Sequence, residues 1–233
     1  MTRRIVALAG GVGGAKMAQG LLHAYADVEL TVVVNTADDL ELYGLRISPD
    51  LDTVMYTLGG IANPATGWGI EGDTRHTLDG IGAYGVESWF LLGDRDFATH
   101  ILRTQWLNEG ATLTEVTKRL SNGLGIQARI VPMANEPVAT LVQTPQGELS
   151  FQDYFVKRHQ QDDVLGVTFA GIESARPTQE ALDAIETADL IVFAPSNPIV
   201  SIGPLLAVTE LRAAIEAKLA LEPVSIYISR ATQ

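Results

Sequence analysis

A short apolar run followed by a glycine-rich loop most constrains the fold of this 233-residue chain. Residues 5–9 are continuously apolar, and Gly10-Gly-Val-Gly-Gly-Ala-Lys16 follows them. Such a run predicts a strand buried on both faces of a parallel sheet. Glycines let a backbone approach a phosphate, and the amino terminus of the next helix adds partial positive charge. The loop therefore predicts a phosphate-binding turn, in which the candidate ligand-binding residues are Gly10, Gly11, Gly13, Gly14 and Lys16.

The glycine loop matches neither of two common nucleotide-binding patterns. It lacks the third glycine at the spacing of the dinucleotide fingerprint, and it lacks the Gly-Lys-Ser/Thr ending of a P-loop. From the loop alone, a tight strand-to-helix turn that binds no ligand remains the alternative.

The order of apolar segments predicts an α/β fold. A helical pattern after the glycine loop and a second apolar strand at residues 30–35 complete a β-α-β unit. Helix, strand, helix and strand patterns return at residues 179–188, 190–194, 205–219 and 224–228. We therefore expect one Rossmann-like domain over residues 1–233, with a parallel sheet flanked by helices.

An inserted helical and antiparallel subdomain is predicted at about residues 59–175, where the regular alternation is lost. Helices are predicted at residues 53–58, 74–84, 97–108 and 113–120. Strands are predicted at residues 126–131, 138–144 and 149–156, and Pro145-Gln-Gly147 would join the last two as a hairpin.

The charge balance limits the partners that the chain can have. Sixteen basic and 28 acidic residues give a net charge of −12, so nucleic acid is not an expected partner. The absence of cysteine excludes thiolate chemistry and suits a reducing compartment. No apolar run approaches the roughly 18 residues that cross a bilayer. We expect a cytoplasmic protein with no membrane partner. Because the chain as a whole is acidic, an anionic ligand would have to be bound by local backbone N–H groups, by a few basic side chains or by a metal ion.

Carboxylates cluster after the predicted second strand. Asn35 is followed by Asp38 and Asp39, and Asp50 and Asp52 come within the next fifteen residues. Ligands of open α/β sheets bind outside the carboxyl ends of the strands, and Mg²⁺ takes oxygen ligands. Asp38 and Asp39 therefore form a candidate Mg²⁺ site, although for a bare Asp-Asp pair helix capping by one of them is the commoner explanation.

Helix capping also competes for the second pair of carboxylates. Asp52 or Thr53 is well placed to cap a helix that begins near Val54. Asp50 is not needed for that cap, which leaves it as a candidate functional residue.

Two further segments carry candidate ligand contacts. Ser196 and Asn197 lie between two prolines after the strand predicted at residues 190–194, and would face the same crevice. Arg95 can bind a carboxylate or phosphate bidentately. An ordinary loop and a solvated surface pair are the respective alternatives. The four histidines show no metal-ligand spacing, and for His23 and His100, which fall on predicted helices, packing or solvent exposure is expected.

Taken together, the motifs resemble the 2-phospho-L-lactate transferase family of coenzyme F-420 biosynthesis. The resemblance runs in order through nearly the whole chain. The segments that carry it are Gly10–Lys16, Val34–Asp39, Ser48–Thr53, Trp68-Gly69, Leu92–Asp96 with Ala98–His100, Phe151–Asp153, and Ala194–Pro198 with Ser201–Gly203.

The resemblance implies a Mg²⁺-dependent transfer reaction. A phospholactyl-type group, either 2-phospho-L-lactate or enolpyruvyl phosphate, would move from a guanosine diphosphate donor to the ribityl hydroxyl of the deazaflavin Fo, and GMP would leave. The resemblance also implies a homodimer.

The same resemblance suggests roles for the candidate residues. Gly10 to Gly14, with Ser196 and Asn197, would bind the nucleotide, and Lys16 and Asn35 would also contact a substrate. Asp38 and Asp39 would hold Mg²⁺. As catalytic residues, Asp50 or Asp52 would orient or deprotonate the hydroxyl, and Arg95 would contact the deazaflavin or the phosphoryl group.

The carboxyl end departs from the family pattern. Family members continue for several tens of residues and usually carry a Ser-Pro-Ile-Ile-Gly-like stretch where this chain reads Ser229-Arg-Ala-Thr-Gln233. We therefore expect a carboxyl end that is shortened relative to the family.

Two other functional classes remain as alternatives. A nucleotide-sugar-binding regulatory protein of the gluconeogenesis-factor type would share the glycine-rich first turn but would need no deazaflavin site. Residues 48–53 and 93–96 favour the transferase. An NAD-dependent dehydrogenase would need an acid at the end of the second strand, where Asn35 comes first.

Overall fold

A parallel sheet of four strands is the centre of the computed structural model, which describes residues 2–221. In chain order the strands are β1 (Arg3–Ala9), β2 (Val28–Val34), β3 (Leu40–Leu42), β4 (Leu45–Ile47), β5 (Arg129–Pro132), β6 (Ala139–Thr144), β7 (Gly147–Ser150), β8 (Gly166–Ala170) and β9 (Leu190–Phe193). The helices are α1 (Val12–Ala24), α2 (Pro49–Leu58), α3 (His76–Ala83), α4 (Asp94–Asn108), α5 (Leu113–Gly123), α6 (Gln179–Thr187), α7 (Ile202–Ala207) and α8 (Thr209–Leu221). A π-helical turn spans Asp153–Lys157.

The central strands are buried on both faces, as the apolar runs predicted. Alternate residues of β1 point to opposite sides of the sheet. Val6 and Leu8 pack in a core with residues of α6, α7 and α8, whereas Ile5 and Ala7 pack in a second core with residues of α1 and α2. The predicted fold class, a parallel sheet flanked by helices with antiparallel strands elsewhere, is confirmed.

The strand order places a ligand crevice beside β1. The central sheet has the order β5-β2-β1-β9, and all its pairs are parallel. The chain therefore moves outward from β1 to β2 and β5 and then crosses to the other side of β1. In open α/β sheets, ligands bind at the carboxyl ends of the strands where the strand order reverses. The glycine loop after β1 and the loop after β9 meet at this point.

The segment predicted as an inserted subdomain contains elements of two kinds. Strands β7, β6 and β8 form a separate antiparallel sheet, and the hairpin between β6 and β7 lies where it was predicted. However, β5 also falls within residues 59–175, yet it pairs with β2 in the central sheet. The strand predicted at residues 126–131 thus belongs to the central parallel sheet and not to the separate antiparallel sheet.

Three local predictions differ from the structure. Residues 151–157 are helical rather than extended, because Ser150 and Asp153 cap each other and start a turn. The helix predicted at residues 205–219 is divided into α7 and α8, since Val208 is extended with ψ 105°. The β3–β4 hairpin was not predicted; Tyr43 and Gly44, both with positive φ, form its tight turn.

The strand predicted at residues 224–228 lies outside the described residues. Among residues 2–221, no helix combines the length and the apolar character that spanning a membrane requires.

Gly13 is required by close packing between two loops. A Cβ atom at this position would lie 1.9 Å from the carbonyl oxygen of Pro195, which follows β9. Because backbone cannot yield as a flexible side chain does, a side chain here would push the two loops apart.

We therefore predict that Gly13→Ala lowers the free energy of unfolding by about 2–3 kcal/mol, the cost of overpacking. Gly20→Ala is the matched control, because Gly20 lies in the same helix with open space around it, and alanine there should add up to about 1 kcal/mol. Urea unfolding measures both. Equal effects of the two substitutions would contradict the packing account.

Candidate functional site

A cavity of about 410 Å³ opens at the carboxyl ends of β1, β2 and β9. Its floor is formed by the glycine loop, the start of α2 and the loop after β9, and its mouth is formed by aromatic side chains. The predicted site residues that line it are Gly11, Gly13, Asp38, Asp50, Asp52, Ser196 and Asn197. The other candidates do not line it: Gly10, Gly14, Lys16, Asn35, Asp39 and Arg95.

The amino terminus of α1 faces a carboxylate of the protein itself. A Cβ atom on Gly11 would lie 2.8 Å from Oδ1 of Asp50. The backbone N–H of Gly10 donates to Oγ of Ser196 at 3.0 Å. Close packing thus explains much of the glycine content without a ligand. Gly11 and Gly13 nevertheless remain open to the cavity.

Asn35 holds two carboxylates next to each other. Its side chain is fully buried, and its Nδ2 donates to Oδ2 of Asp38 at 3.1 Å and to Oδ2 of Asp50 at 3.0 Å. The same nitrogen donates to the carbonyl of Val200 in the loop after β9 at 3.3 Å. Asn35 therefore positions the acidic floor, and its own polar atoms are already engaged by the protein.

Burial disfavours the charged forms of the acids in and beside the cavity floor. Burial, followed by the charge of Asp50, raises the pKa of Asp38 well above its ordinary range. Burial likewise raises the pKa of Asp50 to about 6 and that of Asp39 well above its ordinary value. Oδ1 of Asp38 and Oδ1 of Asp39 are buried without a hydrogen-bond partner. Such a group of carboxylates is suited to bind a cation.

Asp39 faces away from the cavity, unlike its neighbour Asp38. Its Oδ2 accepts a hydrogen bond from Oγ of Ser48 at 2.7 Å, and its carboxylate lies close enough to Arg103 to feel the guanidinium charge. Asp38 thus lines the cavity, whereas Asp39 interacts with Ser48 and Arg103.

The expected cap by Asp52 or Thr53 is wrong, because α2 begins at Pro49 and both residues lie inside it. Asp52 is instead ion-paired with the fully buried Arg103 of α4. Arg103 Nη1 donates to Asp52 Oδ2 at 3.1 Å, and Nη2 donates to the other oxygen. Burial alone would lower the pKa of Arg103, but the charge and hydrogen bond of Asp52, together with the charge of Asp39, raise it above its ordinary value.

His100 and Asp96 extend this ion pair along α4. His100 lines the cavity with 1% exposure, and its Nε2 lies 3.2 Å from Oδ1 of Asp96, which also accepts a hydrogen bond from Tyr56 at 2.5 Å. Sequence reasoning missed this group. Its signal was helical spacing, since Asp96, His100 and Arg103 recur at positions i, i+4 and i+7 on one face.

Asp52, Asp96 and His100 also form a group that could hold a metal ion. One ligand atom from each lies within 4.8 Å of the others, and all three residues are buried. Among the described residues, two sets of side chains are thus candidates for a metal: this group, and Asp38 with Asp50.

Residues 93–96 contribute mainly to structure. Asp94 accepts hydrogen bonds from the backbone N–H groups of His76 and Thr77 at the start of α3. Asp73 does the same for Arg95 and Asp96 at the start of α4. The exposed side chain of Arg95 donates to the carbonyl of Glu71 at 3.2 Å. A ligand contact by Arg95 stays a prediction.

Aromatic side chains form the mouth of the cavity. Phe151 and Phe155 stack with ring centroids 5.1 Å apart, and Trp68 and Phe90 line the same cavity. Trp68 and Phe155 are 41% and 43% exposed. Exposed aromatic groups around an acidic floor suit a ligand with one planar apolar part and one anionic part bound through a cation.

The raised pKa of Asp50 predicts a pH-dependent gain in stability when the carboxylate is removed. Its folded-state pKa of about 6 exceeds the ordinary value of 3.8, so its stabilising contribution is present below pH 3.8 and is lost as the pH rises through 6. Asp50→Asn should therefore raise the Tm at pH 7.5 by roughly 4 °C, and the gain should shrink towards pH 4. Calorimetry of metal-free protein measures this.

The exposed Asp79 supplies the control for this substitution. Asp79→Asn should leave the Tm nearly unchanged at both pH values, because its side chain is 69% exposed. A gain for Asp50→Asn that is the same at pH 4 and pH 7.5 would contradict the assigned pKa direction.

Comparisons with known proteins agree with one another. A family model described as 2-phospho-L-lactate transferase CofD matches residues 5–231. A phosphoenolpyruvate transferase of Streptomyces griseus is 48% identical over 217 residues, which cover 91% of this chain and 68% of that protein. A 2-phospho-L-lactate transferase of Methanosarcina acetivorans is 43% identical over 222 residues, covering 94% of this chain and 72% of that protein.

Solved structures show a similar fold at low sequence identity. Protein BH3568 of Bacillus halodurans, a member of the UPF0052 family, has a TM-score of 0.65 and 19% identity. The match covers 93% of this chain and 66% of that one. The chain thus spans about two thirds of the length of the relatives that it matches.

Proposed function

The chain belongs to the 2-phospho-L-lactate transferase CofD family, and from that premise we propose which transfer its cavity carries out. The protein moves a phospholactyl-type group, 2-phospho-L-lactate or enolpyruvyl phosphate, from a guanosine diphosphate donor to the ribityl hydroxyl of the deazaflavin Fo, and GMP is released. The observation that carries the proposal is a cavity whose mouth is aromatic and whose floor is acidic.

The aromatic mouth supports a planar acceptor. The stacked pair of Phe151 and Phe155, together with Trp68 and Phe90, offers apolar surface of the kind on which a deazaflavin ring stacks. A ring held there would direct its polar ribityl chain towards the floor. The alternative regulatory protein would have no use for this surface.

The acidic floor supports a metal-dependent donor site. Among the residues 2–221 that line the cavity, there is no lysine or arginine, so a diphosphate placed there would be repelled by Asp38 and Asp50. We assign these two residues to Mg²⁺, since both line the cavity and Asp38 has a buried carboxylate oxygen without a partner. Bound Mg²⁺ would supply the positive charge that the diphosphate requires.

The protein's own residues account for the remaining steps. Gly11 and Gly13 at the amino terminus of α1, with Ser196 and Asn197, would bind the nucleotide. Asp52, whose orientation is fixed by Arg103, would accept a hydrogen bond from the ribityl hydroxyl. As the hydroxyl oxygen bonds to the distal phosphorus, Asp52 takes the proton, and the bond to the bridging oxygen breaks with its electrons leaving on GMP.

The reaction is tested by incubating the protein with Fo, Mg²⁺ and each guanylated three-carbon acid, and by measuring GMP together with the acidic deazaflavin product. Asp38→Asn and Asp50→Asn should each lower turnover at least about a hundredfold, because the charge that holds the metal is lost. Asp79→Asn should retain turnover, since its carboxylate is exposed and does not line the cavity.

Asp50→Asn distinguishes a loss of catalysis from a loss of folding, because this variant is expected to have much lower turnover and, at the same time, a higher Tm at pH 7.5. Full turnover in this variant would contradict the metal assignment. Failure of the wild-type protein to bind either Fo or a guanine nucleotide would contradict the proposed reaction.

The cytoplasmic setting of the reaction is part of the same proposal. The absence of cysteine suits a reducing compartment, in agreement with a cytoplasmic enzyme. The homodimer stays a prediction.

A further inference from the structure

Arg103 is placed as a cation would be placed among buried acids. Its side chain is 1% exposed, and its guanidinium donates to both carboxylate oxygens of Asp52. A fork of this kind fixes the plane of the carboxylate as well as its position. The carboxylate of Asp39 also contributes to the surroundings of the guanidinium.

The same guanidinium fixes the tautomer of His100. Arg103 Nη1 lies 3.2 Å from Nδ1 of His100, and arginine can only donate, so Nδ1 must be the unprotonated nitrogen. The ring proton of neutral His100 then lies on Nε2, which is 3.2 Å from Oδ1 of Asp96. The contact with Arg103 therefore selects this tautomer, while Nε2 makes no hydrogen bond of good geometry and Nδ1 also lies 3.7 Å from Oδ2 of Asp52.

Arg103 engages three of the atoms that a metal ion would need. Both oxygens of Asp52 accept from Arg103 and Nδ1 of His100 faces the same guanidinium, whereas Nε2 of His100 lies 3.2 Å from Asp96 without a hydrogen bond. A metal ion in this group would also lie next to a full positive charge in a buried place. The geometry that suggests a metal site thus contains its own cation.

We propose that Arg103 is a positioning residue that takes the place of a metal ion among Asp52, Asp96 and His100. It holds Asp52 and the tautomer of His100 and closes this group to divalent metals, so that metal binding is restricted to the floor of the cavity. The inference goes beyond the proposed function, because its test needs neither donor nor acceptor.

The first test uses the wild-type protein labelled with ¹⁵N and observes the histidine rings by long-range ¹H–¹⁵N NMR. The signals of His100 are assigned by elimination with His23→Gln, His76→Gln and His159→Gln. His100 should show an unprotonated Nδ1 and a protonated Nε2, and one equivalent of Zn²⁺ should leave this pattern unchanged. A protonated Nδ1, or coordination of Zn²⁺ by His100, would overturn the proposal.

The second test removes the guanidinium. Arg103→Met should release His100 from its single tautomer and should bind Zn²⁺ through His100 at least about tenfold more tightly than the wild type, because a buried positive charge is gone. Arg103→Lys keeps the charge without the fork, so it should still exclude Zn²⁺ while the tautomer becomes mixed.

Arg212→Met is the matched control, since it removes an exposed arginine of α8 that pairs with Glu216 of the same helix. It should change neither the His100 signals nor Zn²⁺ binding. If Arg103→Met is folded and keeps the wild-type tautomer without binding Zn²⁺, the proposal is wrong. If it does not fold, the wild type and Arg103→Lys decide the question.

Discussion

Repulsion between buried carboxylates at the carboxyl ends of β1 and β2 is the constraint on which the site depends. Asp38 and Asp50 are brought together by one buried amide, that of Asn35, and neither has a basic side chain opposite it in the cavity lining of the described residues. Folding places these charges together at a cost in stability. A bound cation would remove that cost, which couples the stability of the site to its function.

The acids divide into two groups with different cations. Asp52 and Asp96 belong to a group whose positive charge is built into the fold as Arg103, whereas Asp38 and Asp50 rely on a charge from outside the chain. Such a division would let one carboxylate act on the acceptor with fixed orientation while others hold the donor. With the aromatic mouth above these acids, the cavity suits two ligands together, a planar acceptor and an anionic donor.

Features with local causes were predictable from the sequence. The strand, glycine loop and helix at residues 5–24 follow from apolar burial and from turn chemistry between neighbours, and the two faces of β1 pack as predicted. The crevice residues after β1, β2 and β9 could be named because parallel strands bring their carboxyl ends to one edge.

Features with distant causes were not predictable. Arg103 meets Asp52 across 51 positions of sequence, and Asp73 caps a helix that begins 21 residues later. Arg95, the arginine that the sequence pattern favoured, lies at the surface, while the arginine in the site is eight residues further along the same helix. Helical spacing groups Arg103 with Asp96 and His100, but it does not show which face of α4 is buried, since burial is decided by how α4 packs on the rest of the fold.

We propose that the acidic floor accepts an anionic ligand only together with a divalent cation. Calorimetric titration of the protein with GDP, once in excess Mg²⁺ and once in excess EDTA, tests it most directly. We predict that GDP binds at least about tenfold more tightly with Mg²⁺, because two buried carboxylates otherwise face the diphosphate. Equal affinity in EDTA would contradict the account.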